Sequence, residues 1–128
     1  NNDLDMLGEM RTAALLAKGV SGNAAALSAP QALTMATLSG AKALGLAEHI
    51  GSLSVGKWAD CIALDLSSVS TQPVYNPIST VVYAASREQV TDVWIAGRRL
   101  LQNQALTSID LPNTLLHAEK WRQVIGGA

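Results

Sequence analysis

The period of the apolar residues changes once along this chain, near His49, and that change dictates a helical first part followed by a strand-rich one. Ahead of it, Leu33, Ala36, Thr37, Gly40, Ala41 and Leu44 recur at i, i+3, i+4, i+7, i+8 and i+11, one face of a helix. Ser28 and Gln31 form an S-x-x-Q capping box, Pro30 stands in the first turn, and Gly45 can stop the helix, so the spacing predicts a helix over Pro30–Leu44. Ala36 and Gly40 are small enough to admit a close neighbouring backbone. An earlier stripe of Leu4, Leu7, Met10, Ala14 and Ala17 predicts another helix over Leu4–Lys18, capped by Asn2 or Asp3 and stopped by Gly19. Asp3 and Asp5 suit the positive end of its dipole and Lys18 the negative end.

Beyond His49 the elements shorten. Gly51 and Gly56-Lys57 punctuate a loop, and Cys61 to Leu66 reads as a strand, apolar on both faces until Asp65. Ser67 to Asn76 is a polar loop, and Pro77 to Ala85 reads as a helix despite the β-branched Val81 and Val82. Val90 to Ala96 is a second strand, expected in one sheet with the first. Gly97-Arg98 turns the chain into Arg99–Gln102, and Asn103-Gln104 turns it again. Asp110 and Pro112 open a closing helix to about Ile125, with Leu115, Leu116, Trp121 and Ile125 available for burial.

Composition narrows the function classes. A net charge of −1 with 15% charged residues argues against a nucleic-acid surface or a polybasic membrane surface. No apolar run approaches the ~20 residues of a membrane helix, and no signal peptide is visible. Cys61 is the single cysteine, which excludes an internal disulfide and suits a reducing cytoplasm.

The residues that carry chemistry are scattered. His49, Cys61 and His117 lie far apart, without the clustered spacing that marks a metal site. His49 reads as the end of a helix, His117 as the flank of another and Cys61 as a small buried strand residue. No G-x-S-x-G elbow or phosphate-binding loop is present. Asp60 and Asp65 flank a strand, a placement that fits turn chemistry better than paired acid–base work. On its own residues the chain is a partly helical, partly β domain without a self-contained active site.

Three stretches carry a family resemblance. Asn1-Asn2-Asp3-Leu4-Asp5-Met6-Leu7-Gly8-Glu9-Met10-Arg11 looks like the segment after the last barrel strand in methylthioadenosine/S-adenosylhomocysteine deaminases and related triazine hydrolases. Gly51-Ser52-Leu53-Ser54-Val55-Gly56-Lys57-Trp58-Ala59-Asp60, running into Cys61-Ile62-Ala63-Leu64-Asp65, resembles the G-S-L-x-x-G-K-x-A-D tail of the amidohydrolase superfamily. Asn76-Pro77-Ile78-Ser79-Thr80-Val81-Val82-Tyr83-Ala84-Ala85, followed by Val90 to Gly97, is similar to the same deaminase branch, and Asp92 to Arg98 resembles the family's usual hydrophobic strand ending in a glycine turn.

The resemblance implies an α/β fold, the C-terminal fragment of a (β/α)8 barrel hydrolase. Residues 1–48 would be the last helices of the barrel, 49–106 part of a flanking β-sandwich, and 107–128 a C-terminal helix. It implies a parent deaminase of adenosine-type nucleosides that uses a divalent metal, zinc being the expected ion, to activate water at neutral pH. The implied ligands are an H-x-H on the first strand, further His on middle strands, and an Asp in a G-T-D-like motif just before Asn1. None falls in this chain, and Asp3 lies on the helix side of that position. No metal and no catalytic residue is therefore expected here, and the isolated chain is expected to be inactive. Asn1 and Asn2 are the candidates for a substrate loop at the barrel mouth, with helix capping as their plainer role. The implied partners are the rest of the barrel and a small heterocyclic substrate, and a homo-oligomer is open. Two other readings stand beside this one: the tail of a triazine or guanine hydrolase, and a stand-alone non-catalytic β-rich scaffold.

Overall fold

The computed structural model describes residues 3–127. Asn2, one of the two expected caps of the first helix, lies outside them, and Asp3 does not cap it. Helix α1 runs Met6–Ser21 with Asp5 as its N-cap, the carboxylate accepting from the backbone N–H of Leu7 and Gly8. Leu4 precedes the helix at φ 49 and is exposed, so the apolar stripe begins at Leu7 rather than Leu4. Gly19 does not stop the helix; Gly22 does, at φ 64, where the left-handed conformation costs glycine nothing. From within the helix, the Lys18 ammonium donates to the carbonyls of Ala26 (2.6 Å) and Leu27 (2.9 Å), which pins the following loop against α1.

The second helical stretch is one rod in three parts: α2 (Ala29–Thr34), a π turn (Met35–Ser39) and α3 (Gly40–Ala43). Its capping box forms as expected, Gln31 Oε1 accepting from the Ser28 N–H at 2.8 Å and from the Ser28 hydroxyl at 2.9 Å. Gly45 ends it at φ 72 in a Schellman arrangement, with Leu46 N–H on Ala41 O and Gly45 N–H on Lys42 O. The π turn inserts a residue and rotates the buried face. Ala29, Ala32 and Ala41 are the buried positions, and Leu44 is exposed. The expected close approach is made at Ala41 and Gly51, not at Gly40.

After the loop, β1 (Cys61–Leu64) is shorter than expected: its register shifts between Ala63 and Leu64, and the Asp65 N–H bonds to Gln89 O, ahead of the next strand. Helix α4 (Pro77–Tyr83) is capped by Asn76, whose side chain accepts from Ser79 N–H. A short 3-10 turn (Arg87–Gln89) leads into β2 (Val90–Ile95), then β3 (Arg98–Gln102) and β4 (Ala105–Leu106). These form one antiparallel sheet in the order β1-β2-β3-β4. The two expected strands are neighbours, with Cys61 opposite Trp94 and Ala63 opposite Asp92. The β2–β3 turn is centred on Ala96-Gly97, both at positive φ, so Arg98 already belongs to the strand. Asn103 and Gln104 make the next turn in the same way.

The core lies among the helices. Met10 and Ala14 of α1, Ala29 and Ala32 of α2 and Val82 of α4 form its buried cluster, with Leu7, Leu27, Leu33, Ala36, Val81 and Tyr83 packed around it. Small alanines let the helices approach closely, which is where the alanine-rich composition is used. Helix α5 (Leu111–Gly126) is capped by Asp110 as expected, but Leu115, Leu116, Trp121 and Ile125 are all exposed.

Candidate functional site

The sequence motifs resolve into three pieces of local architecture. The first lies at the start of α1. Asp5 folds its carboxylate over the first turn, close enough to Gly8 that a Cβ there would stand 3.3 Å from Asp5 Cγ and Oδ2. Arg11, one turn on, donates from Nε to Val82 O at 3.3 Å and from Nη2 to Ala85 O. It thereby caps the carbonyl end of α4, where a cation is favoured.

Next to this lies the described chain closest to Asn1 and Asn2, which themselves fall outside the described residues. Arg87 Nη1 donates to Asp3 Oδ1 at 2.6 Å and to Asp3 O at 3.1 Å. The hydrogen bond and charge of Asp3 push the Arg87 guanidinium above its ordinary pKa. Both side chains are exposed, so the pair adds little stability, yet it ties the head of the chain to the turn before β2.

The G-K-x-A-D stretch is the second piece. Gly56 takes φ 92. Lys57 Nζ donates to Ala47 O at 2.5 Å and Ile50 O at 3.1 Å, and Trp58 N–H reaches His49 O at 2.8 Å. Asp60 Oδ1 accepts from Ala96 N–H at 2.6 Å, at the tip of the β2–β3 hairpin. The Lys57 ammonium thus closes the loop, and the Asp60 carboxylate ties the motif to the sheet. Asp65 does turn chemistry too: hydrogen bonds from the Ser67 side chain and N–H hold its carboxyl below the ordinary range. The Asp60 and Asp65 expectation is therefore met.

The third piece is the sheet's own ion pair. Arg99 donates from Nε (3.0 Å) and Nη2 (2.5 Å) to Asp92 Oδ1, and Asn103 N–H adds a third bond at 3.2 Å. The Arg99 bond is the main cause of the lowered Asp92 pKa. The guanidinium also lies 5.2 Å from the Trp94 ring centroid.

The expected metal-ligand types are not brought together. His49 sits in the loop after α3, not at a helix end, stacked on Trp58 with ring centroids 4.8 Å apart. Cys61 is in β1, half-buried rather than buried. His117 is on exposed α5. Among the described residues no group of three or more His, Cys, Asp and Glu could hold a metal ion, so these residues do not fit a zinc centre. What the sequence did not foretell is an open apolar cleft of about 240 Å³ between α1 and the second helical rod, lined by Met6, Glu9, Met10, Ala13, Ala32, Met35 and Ala36. The π turn helps shape it. Thr34 and Thr37 bond back to Pro30 O (2.8 Å) and Leu33 O (2.7 Å), but Thr12 does the same to Gly8 O within regular α1, so no residue pattern marks the π turn.

Against known proteins, the amidohydrolase family matches residues 1–100. The chain belongs to the amidohydrolase family. It is 44% identical over 126 residues to a 5-methylthioadenosine/S-adenosylhomocysteine deaminase of Teredinibacter turnerae, covering 98% of this chain and 28% of that protein. The corresponding protein of Saccharophagus degradans is 41% identical over 122 residues, 95% of this chain and 27% of the relative. The amidohydrolase chain thus spans little more than a quarter of the curated relatives it matches. The crystal structure of an adenosine deaminase from Xanthomonas campestris, with bound zinc, superposes at a TM-score of 0.96 and 49% identity, over 100% of this chain and 29% of that one. An atrazine chlorohydrolase from Arthrobacter aurescens, complexed with zinc, superposes at 0.81 and 28% identity, over 89% of this chain and 25% of its own. The mixed helix-and-strand architecture of the amidohydrolase chain matches segments of these enzymes. Among the described residues no helix is long and apolar enough to cross a membrane.

Proposed function

We propose that this amidohydrolase chain is the C-terminal part of a metal-dependent deaminase of adenosine-type nucleosides such as methylthioadenosine or S-adenosylhomocysteine. The carrying observation is the contrast in likeness: 49% identity over the whole chain to an adenosine deaminase, against 28% over 89% of it to an atrazine chlorohydrolase.

In this reading residues 1–48 are the last helices of a (β/α)8 barrel, 49–106 a part of the flanking β-sandwich and 107–128 a C-terminal helix. Asn1 and Asn2 lie in a loop at the barrel mouth, where such folds keep their sites. The metal, a divalent ion such as zinc, and the groups that bind it belong to the remainder of the parent polypeptide. The work of this chain is mechanical: Asp5 caps α1, Arg11 ties it to α4, and Arg87 holds Asp3, the residue that follows the asparagine pair in sequence.

The test is to express the full-length coding sequence that contains this segment, load it with zinc and follow ammonia release. Methylthioadenosine, S-adenosylhomocysteine, adenosine, guanine and a chlorotriazine are offered in parallel. Release from the adenosine-type nucleosides is expected. Turnover of the triazine or guanine alone would refute the substrate class and leave the family standing. A coding sequence without metal-binding His pairs would favour the non-catalytic scaffold.

A further inference from the structure

Helix α5 is the one element that its own chain does not support. All of its residues are exposed, and it packs extensively against none of the other described helices or strands. Its polar contacts are local: the Asp110 cap, and Glu119 bonded to Arg122 and Gln123. A helix of 16 residues held only in this way is marginal in water.

Its sequence is nevertheless made for burial. Leu111, Leu115, Ala118, Trp121 and Ile125 fall on one side at helical spacing. Arg122 lies within that stripe, but its charge is met by Glu119 at 2.7 Å, so the face presents no unbalanced charge to a partner. The family match ends at residue 100, so α5 lies beyond the shared family core. Yet α5 is an eighth of the chain, and a whole-chain superposition of 0.96 on the crystallised deaminase requires the helix to stand in the same place there. A fixed position without support from its own segment needs a surface outside it.

We propose that α5 is a docking arm whose Leu111–Leu115–Ala118–Trp121–Ile125 face seats on an apolar surface elsewhere in the same parent polypeptide. The inference rests on the reading of this chain as part of a longer enzyme. An intramolecular site is favoured over a second copy for two reasons. More than two thirds of the crystallised relative lies outside the match and can supply the surface. The arm is also tethered to β4 by only residues 107–110, which keeps its reach short.

Hydrogen exchange on the full-length protein, with its mass in solution measured at the same dilutions, tests this. The expected result is that the α5 amides exchange about 100-fold or more slowly than an open helix, unchanged by dilution to monomer. Leu115→Asp combined with Ile125→Asp should remove that protection while leaving α1 and α4 protected. Fast exchange in the unmodified protein overturns the proposal, and so does protection that disappears as an oligomer dissociates, which would assign the face to a second copy. Deamination is assayed on the same sample. Activity with unprotected α5 sinks the docking alone, and protection without nucleoside deamination sinks the substrate reading alone.

Discussion

Gly51 packs so tightly against Ala41 that a Cβ added to it would lie 2.8 Å from the Ala41 Cβ, with Leu38 Cα and Thr37 O each at 3.2 Å. This contact fastens the loop of the G-K-x-A-D motif to the end of the second helical rod. Gly51 also takes φ 90, a left-handed value that L side chains rarely adopt. Gly51→Ala therefore meets both backbone strain of roughly 1–2 kcal/mol and overpacking of roughly 1–3 kcal/mol. Gly56 has nearly the same φ, 92, but open space around it. Gly56→Ala should incur the strain alone. Urea unfolding of the two full-length variants checks this, and equal losses would show that the Ala41 contact yields.

Arg11 joins α1 to the carbonyl end of α4 across 71 residues of sequence. Arg11→Met keeps most of the aliphatic bulk and removes both charge-assisted bonds, so a loss of about 1.5–3 kcal/mol is expected. Hydrogen exchange in α4 should rise before that in the sheet. Arg11→Lys should recover part of the stability, since one ammonium cannot copy the two-pronged guanidinium.

Much of this architecture is legible in the residues. Ser28 with Gln31 and Asp110 before Pro112 are caps with a local mechanism, and each opens the helix expected of it; Asn76, read as the end of a loop, caps the helix that Pro77 begins. The errors fall where local signals tie and tertiary contacts decide. Asn2, Asp3 and Asp5 are all cap-forming types; Asp3 is engaged by Arg87 from 84 residues away, and Asp5 takes the cap. Gly19 and Gly22 can both stop a helix; the chain turns left-handed at the second, and Lys18 bonds the loop beyond it. The site is less legible still. Arg87 reaches Asp3 across 84 residues, which no local pattern encodes. Asn1 and Asn2 came from the family resemblance, and the same resemblance assigns every metal ligand to other parts of the parent.

The Asp92–Arg99 pair gives a pH signature. Asp92 is a buried carboxylate whose folded pKa is depressed, first by the Arg99 hydrogen bond and against the opposing effect of burial. Its stabilisation is fully present above the ordinary value of 3.8 and is lost as pH falls through the lower folded value. Asp92→Asn should therefore lower stability at neutral pH and flatten the acid end of the stability curve below 3.8. Thermal unfolding of both proteins across that range checks the shape. An unchanged acid limb would mean that other carboxylates govern it.

The metal-ligand types in this chain give the last prediction. His49, Cys61 and His117 occupy three unrelated places: a loop stacked on Trp58, a strand, and the exposed α5. Zinc needs about four donors at ~2.0–2.3 Å in one shell, and the described residues bring no such group together. Substituting His49→Ala, Cys61→Ser and His117→Ala in the full-length enzyme should leave its zinc content unchanged. His49→Ala should still cost about 0.5–1.5 kcal/mol of stability through the lost stacking, which separates folding from ligation. Elemental analysis after dialysis is the measurement, with an unfolding curve on the same sample. Zinc that fell in step with the loss of one of these side chains, in a protein that remained folded, would place a ligand in this segment and overturn the assignment of the whole metal shell to the rest of the polypeptide.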